Sequence, residues 1–251
     1  MKTKIILSGA CGRMGKAIRD AVELTDNCEI VAGVDVNASG SLPYPLYTSF
    51  ADIKESGDVI VDFSHHSAVG SVLNYAKTHN IPAVIATTGH NDDECALIEA
   101  AAQEIPVFYS RNMSIGINLM IALAKKAAAV LGDSFDIEIV EEHHSKKLDA
   151  PSGTALMIAD AVKETLDGNA EYVYVRHLDR RERAKGEIGI HSVRGGSIVG
   201  EHEIIFAGKD EVVRIHHSAF SREVFAKGAL SAATYLIGKD KGYYNMEDML
   251  G

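Results

Sequence analysis

The sequence predicts an α/β protein in which a doubly wound parallel sheet is followed by an α+β segment with an open mixed, largely antiparallel sheet. Up to about residue 115, short apolar runs alternate with stretches of helical spacing, which is the pattern of a parallel sheet covered by helices on both faces. Beyond residue 115, apolar and polar residues alternate with a period of two, as in strands with one buried face. The 251 residues therefore divide best into two domains.

The N-terminal elements follow from these runs in chain order. Apolar runs predict strands at residues 4–7, 29–34, 58–62, 83–86 and 106–109. Helical spacing predicts helices over 13–24, from residue 69 onward and from residue 92 onward. Asn91 is a suitable N-cap for the last of these, because acidic residues follow it in the first turn.

The later elements differ in period. Helical spacing predicts helices at residues 119–131, 156–166 and 221–237. Alternation predicts strands at residues 135–139, 188–190, 198–206 and 213–217. Glycines at 195–196 and in 208–210 are typical of hairpin turns.

Composition limits the classes of partner. The formal net charge of −10 argues against nucleic acid, because phosphate binding needs a basic surface. Cys11, Cys28 and Cys95 are widely spaced, which favours free thiols in a reducing compartment over disulfides or a zinc site. The apolar segment 115–130 is interrupted by Lys125 and Lys126, and no signal-peptide pattern precedes it. We therefore expect a cytoplasmic protein with no membrane partner and no metal.

A glycine-rich loop follows the first predicted strand. Gly9, Gly12 and Gly15 lie between that strand and a helix, and Asp35 stands twenty residues after the last of them, at the end of the second strand. Such a loop exposes backbone N–H groups to a pyrophosphate, and such an acid accepts the ribose hydroxyls of a dinucleotide. The alternative is a tight turn with an unrelated surface acid. Because Val36 supplies no positive charge for a 2′-phosphate, the pattern favours NADH over NADPH.

Histidine and lysine are concentrated just before the helix predicted to begin near residue 156. His143 and His144 end a predicted strand, Lys147 lies in the turn after it, and 151–154 reads Pro-Ser-Gly-Thr. Imidazoles, an ammonium group and the free N–H groups of a helix N-terminus together suit a carboxylate-binding and proton-donating site. A solvated loop is an equally good interpretation of composition alone, whereas metal binding is disfavoured by the spacing.

The stretch from residue 141 to 154, E-x-H-H-x-x-K-x-D-A-P-S-G-T, resembles the signature of the dihydrodipicolinate reductase family. The resemblance covers nearly the whole chain. Further matching segments are G-x-x-G-R-M-G at 9–15, D-F-S at 62–64, A-T-T-G at 86–89, N-M-S-I-G at 112–116, R-G-G-S-I-V-G-E-H at 194–202 and S-R-x-x-F-A-x-G-A-L at 221–230.

The resemblance implies a two-domain reductase of diaminopimelate and lysine synthesis. It implies a dinucleotide-binding domain formed by residues 1–114 and 221–251 and a substrate-binding and oligomerisation domain formed by 115–220. The implied reaction reduces a cyclic unsaturated dicarboxylate to tetrahydrodipicolinate with NADH or NADPH, in a homotetramer. Closure of the domains is expected to bring nicotinamide and substrate together.

The resemblance also implies roles for individual residues. The implied proton-transferring residues are His143 and Lys147, and the implied substrate ligands are His144, Ser152, Gly153 and Thr154. The implied cofactor contacts are Gly9, Ala10, Cys11, Gly12, Arg13, Met14, Asp35, Ala86, Thr87, Thr88, Ser110, Arg111, Asn112 and Met113. The chain departs from the family pattern at Val36, at Ala86 and at Ser110–Arg111.

The residue types agree with this chemistry. A hydride added to a conjugated imine leaves electron density that a nearby cation stabilises and an acid protonates. Two further interpretations stay open at this point: a non-catalytic NAD(H)-binding sensor, and a dehydrogenase acting on another small diacid.

Overall fold

A computed structural model of the chain describes residues 1–166, 170–177 and 181–251. The chain separates into two units. The first unit comprises Met1–Ile115 and Arg222–Gly251, and the second comprises Gly116–Ser221.

The first unit is built on a seven-stranded sheet in which every pairing is parallel. Its strands are β1 (Thr3–Ser8), β2 (Cys28–Val34), β3 (Leu46–Tyr47), β4 (Val59–Asp62), β5 (Ala83–Ile85), β6 (Pro106–Tyr109) and β12 (Gly242–Tyr244). The order β12-β6-β5-β4-β1-β2-β3 places β2 and β3 on one side of β1 and the later strands on the other side. The order therefore reverses between β1 and β4, the position where open α/β sheets hold ligands.

Helices cover both faces of this sheet, as the apolar runs predict. They are α1 (Arg13–Glu23), α2 (Val69–His79), α3 (Asp92–Ala101), α6 (Glu223–Leu236) and α7 (Met246–Leu250). Ile5 and Leu7 of β1 pack in one apolar cluster, and Ile6 packs in the other. Successive strand side chains point to opposite faces, so a strand with both faces covered must be apolar throughout.

The second unit contains a five-stranded mixed sheet of order β11-β10-β7-β9-β8. Its strands are β7 (Asp136–His143), β8 (Glu171–Val173), β9 (Glu187–Arg194), β10 (Gly200–Ala207) and β11 (Val212–Ala219). Its helices are α4 (Ile115–Leu131), which begins at the last residue of the first unit, and α5 (Gly153–Thr165). Ile137, Ile139, Ile188 and Ile204 form one apolar cluster with both helices.

Two sequence expectations about this sheet are wrong. Two of the four pairings are antiparallel and two are parallel, so the sheet is mixed but not largely antiparallel. Gly195–Gly196 is not a hairpin turn, because β7 lies between β9 and β10. The turn at Gly208 is a hairpin, since its N–H donates to the carbonyl of Glu211 at 2.9 Å and β10 pairs with β11.

Helix α4 begins four residues before its predicted start at residue 119. Ile117 lies on the same buried helix face as Met120, Ala124 and Ala128, so the apolar stripe extends the helix toward its N-terminus. The stretch Ile115–Ser134 is the one segment of the described residues long and apolar enough to cross a membrane by length and composition alone. The buried residues of α4 belong to the core of the second unit.

Candidate active site

The glycine loop of the first unit joins β1 to α1 in a turn that only glycine fits at two positions. Gly9 has φ of +78°, and a Cβ there would lie 2.5 Å from the carbonyl oxygen of Phe63. A Cβ at Gly15 would lie 2.5 Å from the carbonyl oxygens of both Gly9 and Ala10. Gly12 precedes α1, and no side chain caps the helix. The first-turn N–H groups of α1 are therefore suited to an anion.

Asp35 lies beside this loop, where the sequence predicts a ribose ligand. Its Oδ2 accepts the backbone N–H of Cys11 at 2.9 Å, and its Oδ1 accepts that of Asn37 at 2.9 Å. Asp35, Gly9 and Gly12 line a cleft of about 920 Å³. None of the described residues lining this cleft is a lysine or an arginine.

A second cavity of the first unit, of about 620 Å³, brings together eight residues predicted to contact the cofactor. These are Arg13, Met14, Ala86, Thr87, Thr88, Arg111, Asn112 and Met113. Five lining residues are not among the predicted cofactor contacts, although the first two and the last lie in segments that resemble the family: Phe63, Ser64, His65, His66 and Phe225. His65 and Phe63 also line the larger cleft, so the two cavities share a wall.

The remaining predicted cofactor residues shape the loops. Ala10 is fully buried and Cys11 is exposed. Ser110 donates its hydroxyl to the carbonyl of Asn112 at 2.8 Å and accepts the Asn112 N–H at 3.2 Å, which closes the turn after β6.

The fully buried carboxylate of Asp62, which ends β4, joins two of these loops. Its Oδ2 accepts the hydroxyl of Thr87 at 2.6 Å, and its Oδ1 accepts the hydroxyl of Ser64 at 2.6 Å. The loops after β4 and β5 are thereby held together at the edge of the second cavity.

In the second unit, the His-Lys stretch folds around the buried carboxylate of Glu141. Arg194 donates to both of its oxygens, to Oε2 at 2.8 Å and to Oε1 at 2.6 Å. His143 Nδ1 lies 2.5 Å from Oε2, and the backbone N–H of Ser152 donates to Oε1 at 3.1 Å. The carboxylate therefore connects β7, β9 and the start of α5.

Electrostatics keep this carboxylate ionised. Burial alone would raise the pKa of Glu141, but hydrogen bonds from Arg194, Ser192 and His143 outweigh it and lower the pKa to about 2. Burial lowers the pKa of His143, and the positive charges of Lys147 and Arg194 act in the same direction against the opposing effect of Glu141. His143 is thus a neutral base beside a permanent negative charge.

Helix α5 begins at the predicted substrate ligands. Ser152 is its N-cap and accepts the Ala155 N–H at 3.1 Å, and Gly153 and Thr154 are its first two residues. A Cβ at Gly153 would have no heavy atom within 4 Å among the described residues, so the backbone is open to a ligand there. The sequence predicts this helix from residue 156, and its observed start at Gly153 places the first turn at the proposed carboxylate ligands.

His202 of β10 contacts both the N-cap of α5 and the ring of His143. Its Nε2 lies 3.0 Å from the Ser152 hydroxyl, and its ring packs edge-on against that of His143 with centroids 5.3 Å apart. Burial, reinforced by repulsion from His143, lowers the pKa of His202 from its ordinary 6.5 to about 3.

This buried neutral imidazole predicts a pH dependence of stability. Below pH 6.5 the unfolded chain binds a proton at His202 that the folded chain excludes until about pH 3, so the free energy of unfolding falls with pH across that window. The contribution is about 1.4 kcal/mol per pH unit, or about 2 kcal/mol between about pH 7 and pH 5. Urea unfolding at both pH values should show that His202→Gln loses about 2 kcal/mol less than the parent. Equal losses would contradict the buried neutral state.

Lys147 and His144 lie in the turn after β7. The Lys147 N–H donates to the carbonyl of His144 at 3.0 Å, and its ammonium lies 2.8 Å from Oδ2 of Asp149, with 20% of the side chain exposed. Nδ1 of His144 is buried and has no hydrogen-bond partner among the described residues. The structure therefore places His144 and Lys147 in the turn directly after His143, and Glu141 joins His143 to the N-cap of α5.

Glu141, Arg194 and His202 carry no predicted role, although each falls in a segment that resembles the family. A signal was available for Glu141. It follows Ile137 and Ile139 at a spacing of two, so the alternation that buries both isoleucines also buries Glu141. A buried carboxylate requires donors, and that requirement implies a partner such as Arg194. Among the described residues, no group of His, Cys, Asp and Glu could hold a metal ion.

Comparison with known proteins matches both parts of the chain. Residues 3–113 match the family model for dihydrodipicolinate reductase, N-terminus, and residues 116–250 match the model for its C-terminus. The 4-hydroxy-tetrahydrodipicolinate reductase of Caldanaerobacter subterraneus subsp. tengcongensis is 51% identical over 250 residues, which cover 100% of this chain and 99% of that protein. The protein of the same name from Clostridium novyi is 45% identical over 248 residues, which cover 99% of this chain and 98% of that protein.

A solved structure extends the similarity to three dimensions. The dipicolinate-bound dihydrodipicolinate reductase from Paenisporosarcina sp. TG-14 superposes with a TM-score of 0.78 at 26% identity, over 98% of each chain. The predicted α/β class and the resemblance read from the motifs are confirmed. The chain therefore belongs to the dihydrodipicolinate reductase family, a family of oxidoreductases with a dinucleotide-binding domain.

Proposed function

We propose that the chain catalyses the reaction for which its relatives are named. Hydride from NAD(P)H and a proton reduce a cyclic unsaturated dicarboxylate, derived from 4-hydroxy-tetrahydrodipicolinate, to tetrahydrodipicolinate. The observation that carries the proposal is the position of the His143 imidazole. It is held by a buried carboxylate that also binds the N-cap of α5, which combines a proton-transfer group with a helix N-terminus suited to a carboxylate.

The first unit suits a dinucleotide. A Cβ at Gly9 or Gly15 would collide with backbone carbonyl groups, so the tight turn depends on glycine at both positions, and the uncapped first turn of α1 offers N–H groups to a pyrophosphate. Asp35 lines the adjoining cleft, where its carboxylate would accept ribose hydroxyls, and Thr87 and Asn112 line the second cavity. The bound cofactor supplies the hydride.

The second unit suits a small diacid. The N–H groups of Gly153 and Thr154 at the start of α5, together with His144, would hold one carboxylate. Lys147 would stabilise the negative charge that develops as the hydride arrives and would donate the proton, while His143 exchanges a proton through its Nε2. Ser152 acts as the N-cap that keeps the helix N-terminus in place.

We propose NADH as the preferred cofactor. Asp35 repels a 2′-phosphate, and the described residues lining its cleft include no lysine or arginine that would offset this repulsion. In a paired assay with enzymatically generated substrate, kcat/KM is expected to be at least ~10-fold higher with NADH than with NADPH, as expected for one unpaired charge. A strong NADPH preference would contradict the role given to Asp35. Tight NADH binding without any oxidation of NADH would favour a sensor over an enzyme.

We also propose a homotetramer in the cytoplasm that serves diaminopimelate and lysine synthesis. The family resemblance supports both the pathway and the oligomer, and the three free cysteines suit a reducing compartment. Val193 and Val212, on strands of the second unit, are 44% and 52% exposed, which suits a surface covered by other subunits. The net charge of −10 argues against nucleic acid as a partner.

A further inference from the structure

Glu141 connects two parts of the proposed site. One of its oxygens contacts Nδ1 of His143, and the other accepts the backbone N–H of Ser152, the N-cap of α5. Arg194 binds both oxygens, and the carboxylate is fully buried. A single side chain thus contacts the imidazole and the helix N-terminus directly.

We propose that Glu141 is a positioning residue that fixes both the tautomer of His143 and the location of the α5 N-terminus, with Arg194 as its anchor. The inference rests on the proposed function, because it assigns Glu141 to the roles given there to His143 and Thr154. Glu141 acts through these residues and through Ser152 and has no role in contacting the substrate.

The first consequence is chemical. An ionised carboxylate only accepts hydrogen bonds, so the proton of neutral His143 must reside on Nδ1. Nε2 is then the basic nitrogen that exchanges a proton. A Cβ at Gly200 would lie 3.1 Å from this Nε2, so a side chain there would crowd the nitrogen.

The second consequence is geometric. Ser152 is held through its N–H by Glu141, and its hydroxyl accepts the N–H of Ala155. Both backbone and side chain of the N-cap are therefore fixed, and Gly153 and Thr154 follow directly. A shift of the carboxylate would move the imidazole and the carboxylate-binding N–H groups together.

The charged groups around His143 determine in which direction its pKa should move when Glu141 is replaced. Among the described residues these are Glu141 on the same strand, Arg194 on β9 and Lys147 in the loop after β7, and the neutral ring of His202 on β10 packs against His143. Glu141 is the one negative group of this set and acts to raise the pKa of His143, against burial and both cations. Removing its charge is therefore expected to lower that pKa.

The test is Glu141→Gln, which keeps the shape and removes the charge. In protein labelled with ¹⁵N-histidine, with His143 assigned from the spectrum of His143→Gln, the parent should show the neutral ring protonated on Nδ1. Glu141→Gln should lose this preference. Its kcat should fall at least ~10-fold, the scale of losing an orienting carboxylate. The limb of the pH profile assigned to His143 should move to lower pH.

Glu138→Gln is the matched control. Glu138 also lies on β7 and also binds a histidine and arginines, His191 at 2.7 Å, Arg176 at 2.7 Å and Arg183 at 3.1 Å. It belongs to no proposed catalytic contact, so its variant should leave the tautomer of His143 and the pH profile unchanged. If Glu141→Gln does not fold, Glu141→Gln/Arg194→Met removes both the buried carboxylate and its half-buried guanidinium partner and should show the same changes.

The outcomes separate the two proposals. A parent protonated on Nε2, or a Glu141→Gln variant with the parent's tautomer or pH profile, would overturn the role of Glu141. An inactive parent whose His143 is nevertheless protonated on Nδ1, with loss of that preference in the variant, would overturn the proposed function and leave the control of the tautomer standing.

Discussion

Replacing Lys147 with alanine is expected to lower turnover by at least ~100-fold while NADH affinity stays unchanged, because the loss falls on proton transfer. The ammonium of Lys147 lies 2.8 Å from Asp149, and its N–H is fixed to the carbonyl of His144. Its side chain is only 20% exposed, so the turn after β7 holds the ammonium largely covered by protein.

The turnover effect should exceed any effect on binding. Removing a group that acts as the hydride arrives lowers kcat and kcat/KM together, whereas removing a group that only binds substrate raises KM. NADH titration monitored by cofactor fluorescence and a steady-state assay with saturating substrate measure the two quantities separately.

Lys146→Ala is the matched control for this prediction. Lys146 is exposed and adjacent, so its replacement removes the same charge from the same loop. It should change kcat by no more than about 2-fold, as for ordinary surface substitutions. If both variants lost the same fraction of kcat, Lys147 would act only through the positive charge of the loop. If kcat of Lys147→Ala were near normal, Lys147 would have no part in proton transfer.

Strands of the first unit were predictable because the sheet is covered on both faces. A strand such as Val59–Asp62 is apolar at every position except the last. Such a run can be recognised in the sequence without knowing which strands lie beside it in the sheet. The short edge strand Gly242–Tyr244 and the helix Met246–Leu250 were not predicted. The strand has only three residues and few apolar positions, although Asn245 and Asp248 form a capping box that marks the helix start.

Strand order in the second unit was not predictable from local pattern. Gly195–Gly196 has the composition of a hairpin turn, but β9 pairs with β7 and β8, and β10 lies on the other side of β7. Turn composition records a change of chain direction and does not record which strand is adjacent. The same limit applies to the site, where His143 and Lys147 stand close in sequence but Arg194 is 53 residues from Glu141.

The second large effect is expected at Gly228, where α6 crosses the segment that lines the second cavity. A Cβ at Gly228 would lie 1.7 Å from the carbonyl oxygen of Met113, which is backbone and cannot rotate away. Gly228→Ala must therefore displace either α6 or the turn that carries Asn112 and Met113. We expect the free energy of unfolding to fall by at least about 2 kcal/mol, as for overpacked cores.

Cofactor binding should weaken in the same variant, because Asn112 and Met113 both line the second cavity, which brings together eight of the predicted cofactor contacts. Gly70→Ala in α2 is the control, since its Cβ would meet only Leu97 Cδ1, at 3.9 Å, among the described residues. Relative to glycine, alanine in a helix is favourable by up to about 1 kcal/mol, so this variant should be neutral or more stable. Urea unfolding and NADH titration of both variants test the contact. A Gly228→Ala protein as stable as Gly70→Ala would show that α6 and Met113 do not approach so closely. A destabilised Gly228→Ala protein with unchanged NADH affinity would show that this helix contact does not affect cofactor binding.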